Sequence, residues 1–185
     1  MFTVEEVRAL LAACDGFSEC TKLYLLLMLN CGMYQNDIAE LHADELDLKA
    51  GTVKRARSKT RERGPVVTYR LWPETSELLR RHRSNIGDRA LTTDEGNPLV
   101  RYWLEDGKMR RYDAIQSAWS RLATKMGGKT RLGMKHLRKT SASLLGQHPQ
   151  FKFYANHFLA DSPRTVADSH YVVPSDAEFF QALWK

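Results

Sequence analysis

Apolar side chains along the first part of the chain recur with the period of a helix, and then abruptly with that of a strand. Val4, Val7, Leu10 and Leu11 share one face of a segment opened by Thr3, with Glu6 placed to complete a capping box and Cys14-Asp15-Gly16 to close it. A second segment begins near Ser18 and runs through Leu23-Tyr24-Leu25-Leu26-Leu27-Met28-Leu29, apolar on nearly all sides. A helix of that kind belongs in the middle of a bundle. Cys31-Gly32 breaks it, and Asn36 to Leu41 reads as a short third helix.

The period then falls to two. Leu46-Asp47-Leu48 alternates, Lys49-Ala50-Gly51 turns, and Thr52 to Arg57 and Val66 to Leu71 predict two further strands around a charged loop from Lys59 to Pro65. Helical spacing returns at about 73–84, 112–126, 135–146, 150–158 and 163–170, with a last amphipathic stretch from Ser175 to Trp184. Its stripe of Phe179, Phe180, Leu183 and Trp184 is most simply core-facing. The segment from Asn85 to Lys108 is expected as a loop and is the least readable part of the chain. The predicted class is mainly α with a small antiparallel β-sheet (α+β), in one domain without repeats or a separating linker.

Composition narrows this further. With 185 residues, 43% hydrophobic and 27% charged, the chain can build a real core. No apolar run approaches the roughly 18–20 residues of a membrane span, and the opening residues carry no basic segment or cleavage site of a secretory leader. Three cysteines without C-x-x-C spacing favour reduced thiols and give no zinc pattern. The histidines His42, His82, His148 and His170 form no arrangement that asks for a metal. The net charge of +6 is unevenly distributed: residues 49–70 sum to +7 and residues 101–139 to +8, leaving −9 for the rest. Such segregation predicts one face that meets phosphate.

The second half carries Lys135-His136-Leu137-Arg138-Lys139-Thr140-Ser141-Ala142-Ser143, then His157, then Tyr171. This resembles the catalytic domain of the tyrosine recombinases, the phage-integrase family, whose box reads H-x-L-R-[HKR]-T-x-A-[ST], followed by a histidine in a G-H context and a later tyrosine. Leu137, Arg138, Thr140 and Ala142 match the box; His157 takes the later histidine, with Asn156 in place of glycine, and Tyr171 takes the nucleophile position after a longer gap than usual. Ser58-Lys59-Thr60 stands where the family keeps a lysine between its second and third strands. The resemblance spans the whole chain from its first helix.

Cutting a phosphodiester without a metal needs a nucleophile, positive charge at the non-bridging oxygens and an acid for the leaving oxygen. The resemblance implies Tyr171 as nucleophile, Arg138 as a bidentate phosphate ligand, His157 as a further donor and Lys59 as general acid. A phosphotyrosine link stores the bond energy, so no cofactor and no metal are implied. Two positions depart from the pattern. Lys135 stands where the box has its first histidine, and can still donate to phosphate. Tyr34, in Cys31-Gly32-Met33-Tyr34, stands where the family opens its third helix with a phosphate-binding arginine. An uncompensated loss there costs about 3–4 kcal/mol of transition-state stabilisation. Tyr34 is expected to be a packing residue, with Asp37 at the supporting acid position. Whether another basic group such as Arg110 or Arg111 replaces the missing arginine stays open.

The resemblance implies a site-specific recombinase acting on double-stranded DNA, as a homo-oligomer, a tetramer, assembled through the C-terminal segment. Arg55, Arg57, Arg61, Arg63, Arg110, Arg111 and Lys139 are the expected DNA-binding side chains, with no membrane partner and a cytoplasmic, nucleoid-associated location. The chain is expected to be a catalytic domain from a longer integrase whose separate helical domain grips the other side of the duplex. Three alternatives remain: a DNA-binding module of the same fold with weakened chemistry, a type IB topoisomerase-like nicking and sealing activity, and a helical interaction module.

Overall fold

A computed structural model describes residues 1–60, 64–128, 130–161 and 175–184. Helix α2 (Glu19–Cys31) runs through its centre, with every side chain from Leu23 to Cys31 buried. Around it pack α1 (Val4–Cys14), α4 (Pro73–His82), α5 (Ala114–Lys125) and α6 (Lys135–Gln147). This is the all-round burial that the apolar run of α2 requires. Thr3 and Glu6 form the capping box of α1: the Glu6 amide donates to the Thr3 hydroxyl at 3.1 Å and the Thr3 amide to the Glu6 carboxylate at 2.7 Å.

The short α3 (Gln35–Ala39) leads into a three-stranded antiparallel sheet in the order β1 (Leu46–Asp47), β2 (Thr52–Arg55), β3 (Val67–Arg70). Val53 pairs with Tyr69 and Arg55 with Val67. The two-residue alternation puts Val53 and Arg55 on the buried face and leaves Lys54 outside.

A second, two-stranded sheet departs from the sequence expectation. β4 (Val100–Glu105) and β5 (Lys108–Asp113) form a hairpin, its first strand inside the expected loop and its second running from the end of that loop to the start of α5. Its strands are exposed along nearly their whole length, so neither face imposes an apolar alternation. What defines it is the turn: Asp106 and Gly107 both take positive φ, +50° and +71°, as the tight Asp-Gly hairpin turn demands. Consequently α5 begins two residues later than its periodicity suggests, at the cap where Asp113 accepts the Gln116 amide at 2.8 Å.

Helix α7 (Tyr154–Phe158) is shorter than expected, and the segment predicted as a helix over about 163–170 lies outside the described residues. The last helix, α8 (Asp176–Trp184), lays Phe179 and Leu183 on the core beside β3. The Trp72 indole donates to the Leu183 carbonyl at 2.6 Å, which holds this helix on its own chain. No helix among the described residues is long and apolar enough to cross a membrane.

Candidate active site

The site is built where the N-terminal half of α6 meets the end of α2 and the β2–β3 connection. Arg138 lies on the buried face of α6 with Leu137 and Thr140 and is only 3% exposed. A buried guanidinium must satisfy its donors within the fold. Here Nη1 donates to the Gly32 carbonyl, and Nη2 donates to the Leu159 carbonyl at 2.6 Å and lies 3.7 Å from Asp161 Oδ1. Burial, and then the charge of Arg57, holds Arg138 below its ordinary value. It stays cationic, as arginine does at any ordinary pH.

Gly32 ends α2 with φ +59°. A Cβ there would meet the Phe158 carbonyl at 2.9 Å, so the carbonyl that receives Arg138 depends on a residue without a side chain. Tyr34 follows directly. Its ring covers Arg138, with Cζ 4.6 Å from the ring centre, and Arg57 also faces it, at 5.6 Å. Where the resemblance leads one to expect a cation, an aromatic face is stacked on two cations instead.

Asp37 ties α3 to the lysine-bearing segment. Its carboxylate accepts the Tyr34 amide at 2.8 Å and the Ser58 amide at 2.9 Å. Lys59 follows Ser58 in a short 3₁₀ turn (Ser58–Thr60) and is exposed. A cleft of about 670 Å³ opens here, lined among others by Tyr34, Asp37, Arg57, Lys59 and Arg111.

The expected basic residues divide sharply. Arg57 reaches the cleft and binds Asp161 through Nη1. Arg111 reaches it too, held by Asp113 at 2.6 Å. Arg110, on the same hairpin, is exposed and paired with Glu105 at 2.9 Å. Lys135 and Lys139 flank Arg138 on α6 and are exposed. Arg55 is placed otherwise than expected. It is buried, 4% exposed, and donates to the carbonyls of Asp37 and Ala56 and to the Ser58 hydroxyl, because strand alternation turns it inward. It braces the hairpin and presents no donor to the surface. Arg61, Arg63 and Tyr171 lie outside the described residues.

Among the described contacts, His157 makes none with the Arg138 guanidinium. It sits on α7 with its ring edge-on to Phe179 at 4.7 Å, and burial lowers its pKa. Besides the Leu159 carbonyl, the side chain that approaches Arg138 from this segment is that of Asp161, a residue outside the family's motif. Asn156 is helical, whereas Ala160 takes φ +45°, the left-handed backbone that glycine adopts freely. The conformation suited to a glycine-histidine pair is therefore found at Ala160-Asp161, four residues nearer Tyr171, and with an acid in the second place. The shorter gap to Tyr171 is the sequence signal that points there. No cluster of three or more potential metal ligands occurs among the described residues.

The family model described as the phage integrase family matches residues 1–149, a span that ends before His157, Asp161 and Tyr171. No curated protein matches the chain by sequence. Among solved structures, it is similar to the XerA recombinase (TM-score 0.64, 13% identity, 97% of this chain and 62% of that one). It is also similar to the lambda integrase tetramer bound to a Holliday junction (TM-score 0.60, 18% identity, 89% of this chain and 47% of that one). The lambda integrase catalytic core aligns with a TM-score of 0.61 at 18% identity, over 87% of this chain and 94% of that one. The chain thus spans less than two thirds of the two longer proteins, and nearly all of the isolated core.

Proposed function

The chain belongs to the phage integrase family, and from that premise we propose that it cuts and rejoins double-stranded DNA through a 3′-phosphotyrosine intermediate. The observation that supports this most directly is the convergence of Arg138 and Arg57 around Tyr34, beside a cleft whose lining includes the exposed Lys59. Two guanidiniums can neutralise the charge that builds on the non-bridging oxygens. In this reading the Tyr171 hydroxyl gives its proton to water as its oxygen attacks phosphorus, the bond from phosphorus to the 5′ oxygen breaks, and Lys59 gives that oxygen a proton. A 5′-hydroxyl then reverses the step, releasing Tyr171. Lys135, one turn before Arg138, donates to the same phosphate. Arg111, Arg110 and Lys139 extend the positive surface along the backbone.

The shares of the aligned chains support reading this segment as the catalytic part of a larger grip on DNA. Lambda integrase occurs as a tetramer on a Holliday junction and as a dimer on a core site, and assembly of the present chain on its DNA follows the same plan. Such work places it in the cytoplasm, on the nucleoid.

Tyr34 and Asp161 favour a second reading, a module that binds DNA with weakened chemistry, because one replaces a cation and the other adds an anion beside Arg138. Covalent capture separates the two. Nicked duplexes from the DNA flanking the protein's own gene are incubated with the chain and denatured in detergent. A shifted protein–DNA band that vanishes in Tyr171→Phe is the expected result. Salt-sensitive binding without any band, from the native chain and Tyr34→Arg alike, would give the answer to the binding module.

A further inference from the structure

Arg57 and Arg138 come from distant parts of the chain, the end of the β2 hairpin arm and the buried face of α6, yet both turn to one carboxylate. Arg57 Nη1 binds Asp161 Oδ1, and Arg138 Nη2 lies 3.7 Å from the same oxygen. Both also face the Tyr34 ring. Two like charges converge at such short range only where an anion compensates them. Asp161 is delivered to that place by the left-handed backbone at Ala160, a conformation an alanine adopts only when its surroundings hold it there. Arg57 lines the cleft, and the side chains of Arg57 and Asp161 are 20% and 29% exposed, against 4% for Arg138, so solvent reaches the ion pair from the Arg57 side.

We propose that Arg57 and Arg138 form a two-guanidinium site for a DNA phosphodiester, with Asp161 as its resident counter-ion, which the phosphate displaces on binding. The proposal deepens the DNA reading and rests on it. Arg57 supplies the second cation that Tyr34 does not, from a position two residues before Lys59, and Tyr34 is the flat wall on which both guanidiniums stack. The planar guanidinium fork bonds two oxygens of a carboxylate or of a tetrahedral phosphate alike, so a phosphate oxygen can take over the bonds that Asp161 releases.

The test uses the full chain and two probes. In calorimetric titration with inorganic phosphate, Asp161→Asn is expected to bind at least tenfold more tightly than the native chain. That gain is expected to disappear when Arg57→Gln is added. Asp161→Asn binding no better than native, or a gain that survives Arg57→Gln, would overturn the proposal. If Asp161→Asn loses the native near-ultraviolet spectrum, Asp161→Ser is titrated in its place with the same criteria. The second probe is duplex DNA over a range of salt. One phosphate fewer neutralised makes the log–log slope shallower by about 0.9, expected when Arg57→Gln is introduced into the native chain or into Asp161→Asn. Tighter phosphate binding with an unchanged slope would assign the site to a free anion and overturn the phosphodiester. Failure of covalent capture alone leaves both arms readable, so a chain that binds phosphate here but cuts nothing retains the site and loses only the strand-cutting chemistry.

Discussion

Asp37 fixes Ser58: its Oδ1 accepts the Ser58 amide at 2.9 Å, and so sets where the next residue, Lys59, can stand. The same carboxylate receives the Tyr34 amide and lies 3.8 Å from the buried Arg55. One acid thereby joins the start of α3, the base of the lysine turn and an interior cation. Asp37→Ala leaves Arg55 without its carboxylate in a dry setting, and a loss of about 3–5 kcal/mol is expected. Urea unfolding checks this; a variant as stable as the native chain would mean that Asp37 is not the brace.

Gly32→Ala tests the carbonyl that holds Arg138. The positive φ costs an alanine about 1–2 kcal/mol, and the 2.9 Å approach to the Phe158 carbonyl adds the strain of an overpacked contact. A lowered melting temperature is expected, together with weaker DNA binding, because Gly32 cannot shift without moving the oxygen on Arg138.

Tyr69→Phe removes one buried hydroxyl. That hydroxyl donates to the Phe158 carbonyl at 3.0 Å, and burial pushes its pKa well above the usual tyrosine value. Its loss leaves the carbonyl without this donor, and about 1–3 kcal/mol of stability is expected to go with it. Chemical unfolding of the two forms gives the difference.

Glu6 should titrate unusually low. The Arg131 guanidinium and the Thr3 amide hold its carboxyl at about 2, against an ordinary 4.5. Because the folded value is depressed, the stabilisation is complete above pH 4.5 and fades as pH falls toward 2. Carbon-detected NMR titration of Glu6 reads this directly. In Arg131→Gln the midpoint should rise toward 4.5, and a midpoint that stays put would show that Arg131 is not its cause.

Lys59→Ala should separate chemistry from grip. As general acid, Lys59 is expected to account for about 10²–10⁴-fold in the rate of covalent capture. Duplex affinity should change little, since other cations line the cleft. A duplex whose scissile phosphate carries sulfur in place of the 5′ oxygen has a leaving group that needs no protonation and should restore much of the rate. Equal loss of rate and affinity would make Lys59 a plain phosphate contact.

The helices and the three-stranded sheet were legible because burial imposes a period on residue choice. Leu23 to Leu29 reads as a central helix for the same reason that it is one: each of its faces meets another helix. The β4–β5 hairpin escapes that logic, since strands such as Arg101 to Glu105 face solvent on both sides and need no alternation. Only the Asp106-Gly107 turn records it in the sequence.

The candidate site divides along the same line. The family box around Arg138, the lysine at Lys59 and the absence of an arginine at Tyr34 are visible in the residue order, because these are properties of single positions. Which groups share a space is set by the folding of the chain. It turned Arg55 inward, left His157 against Phe179, and brought Arg57 and Asp161 to Arg138 from segments far apart in the chain. A strand's alternation and one left-handed alanine set those directions, and whether a charge meets a phosphate or a carbonyl depends on direction, which no single position in a sequence carries.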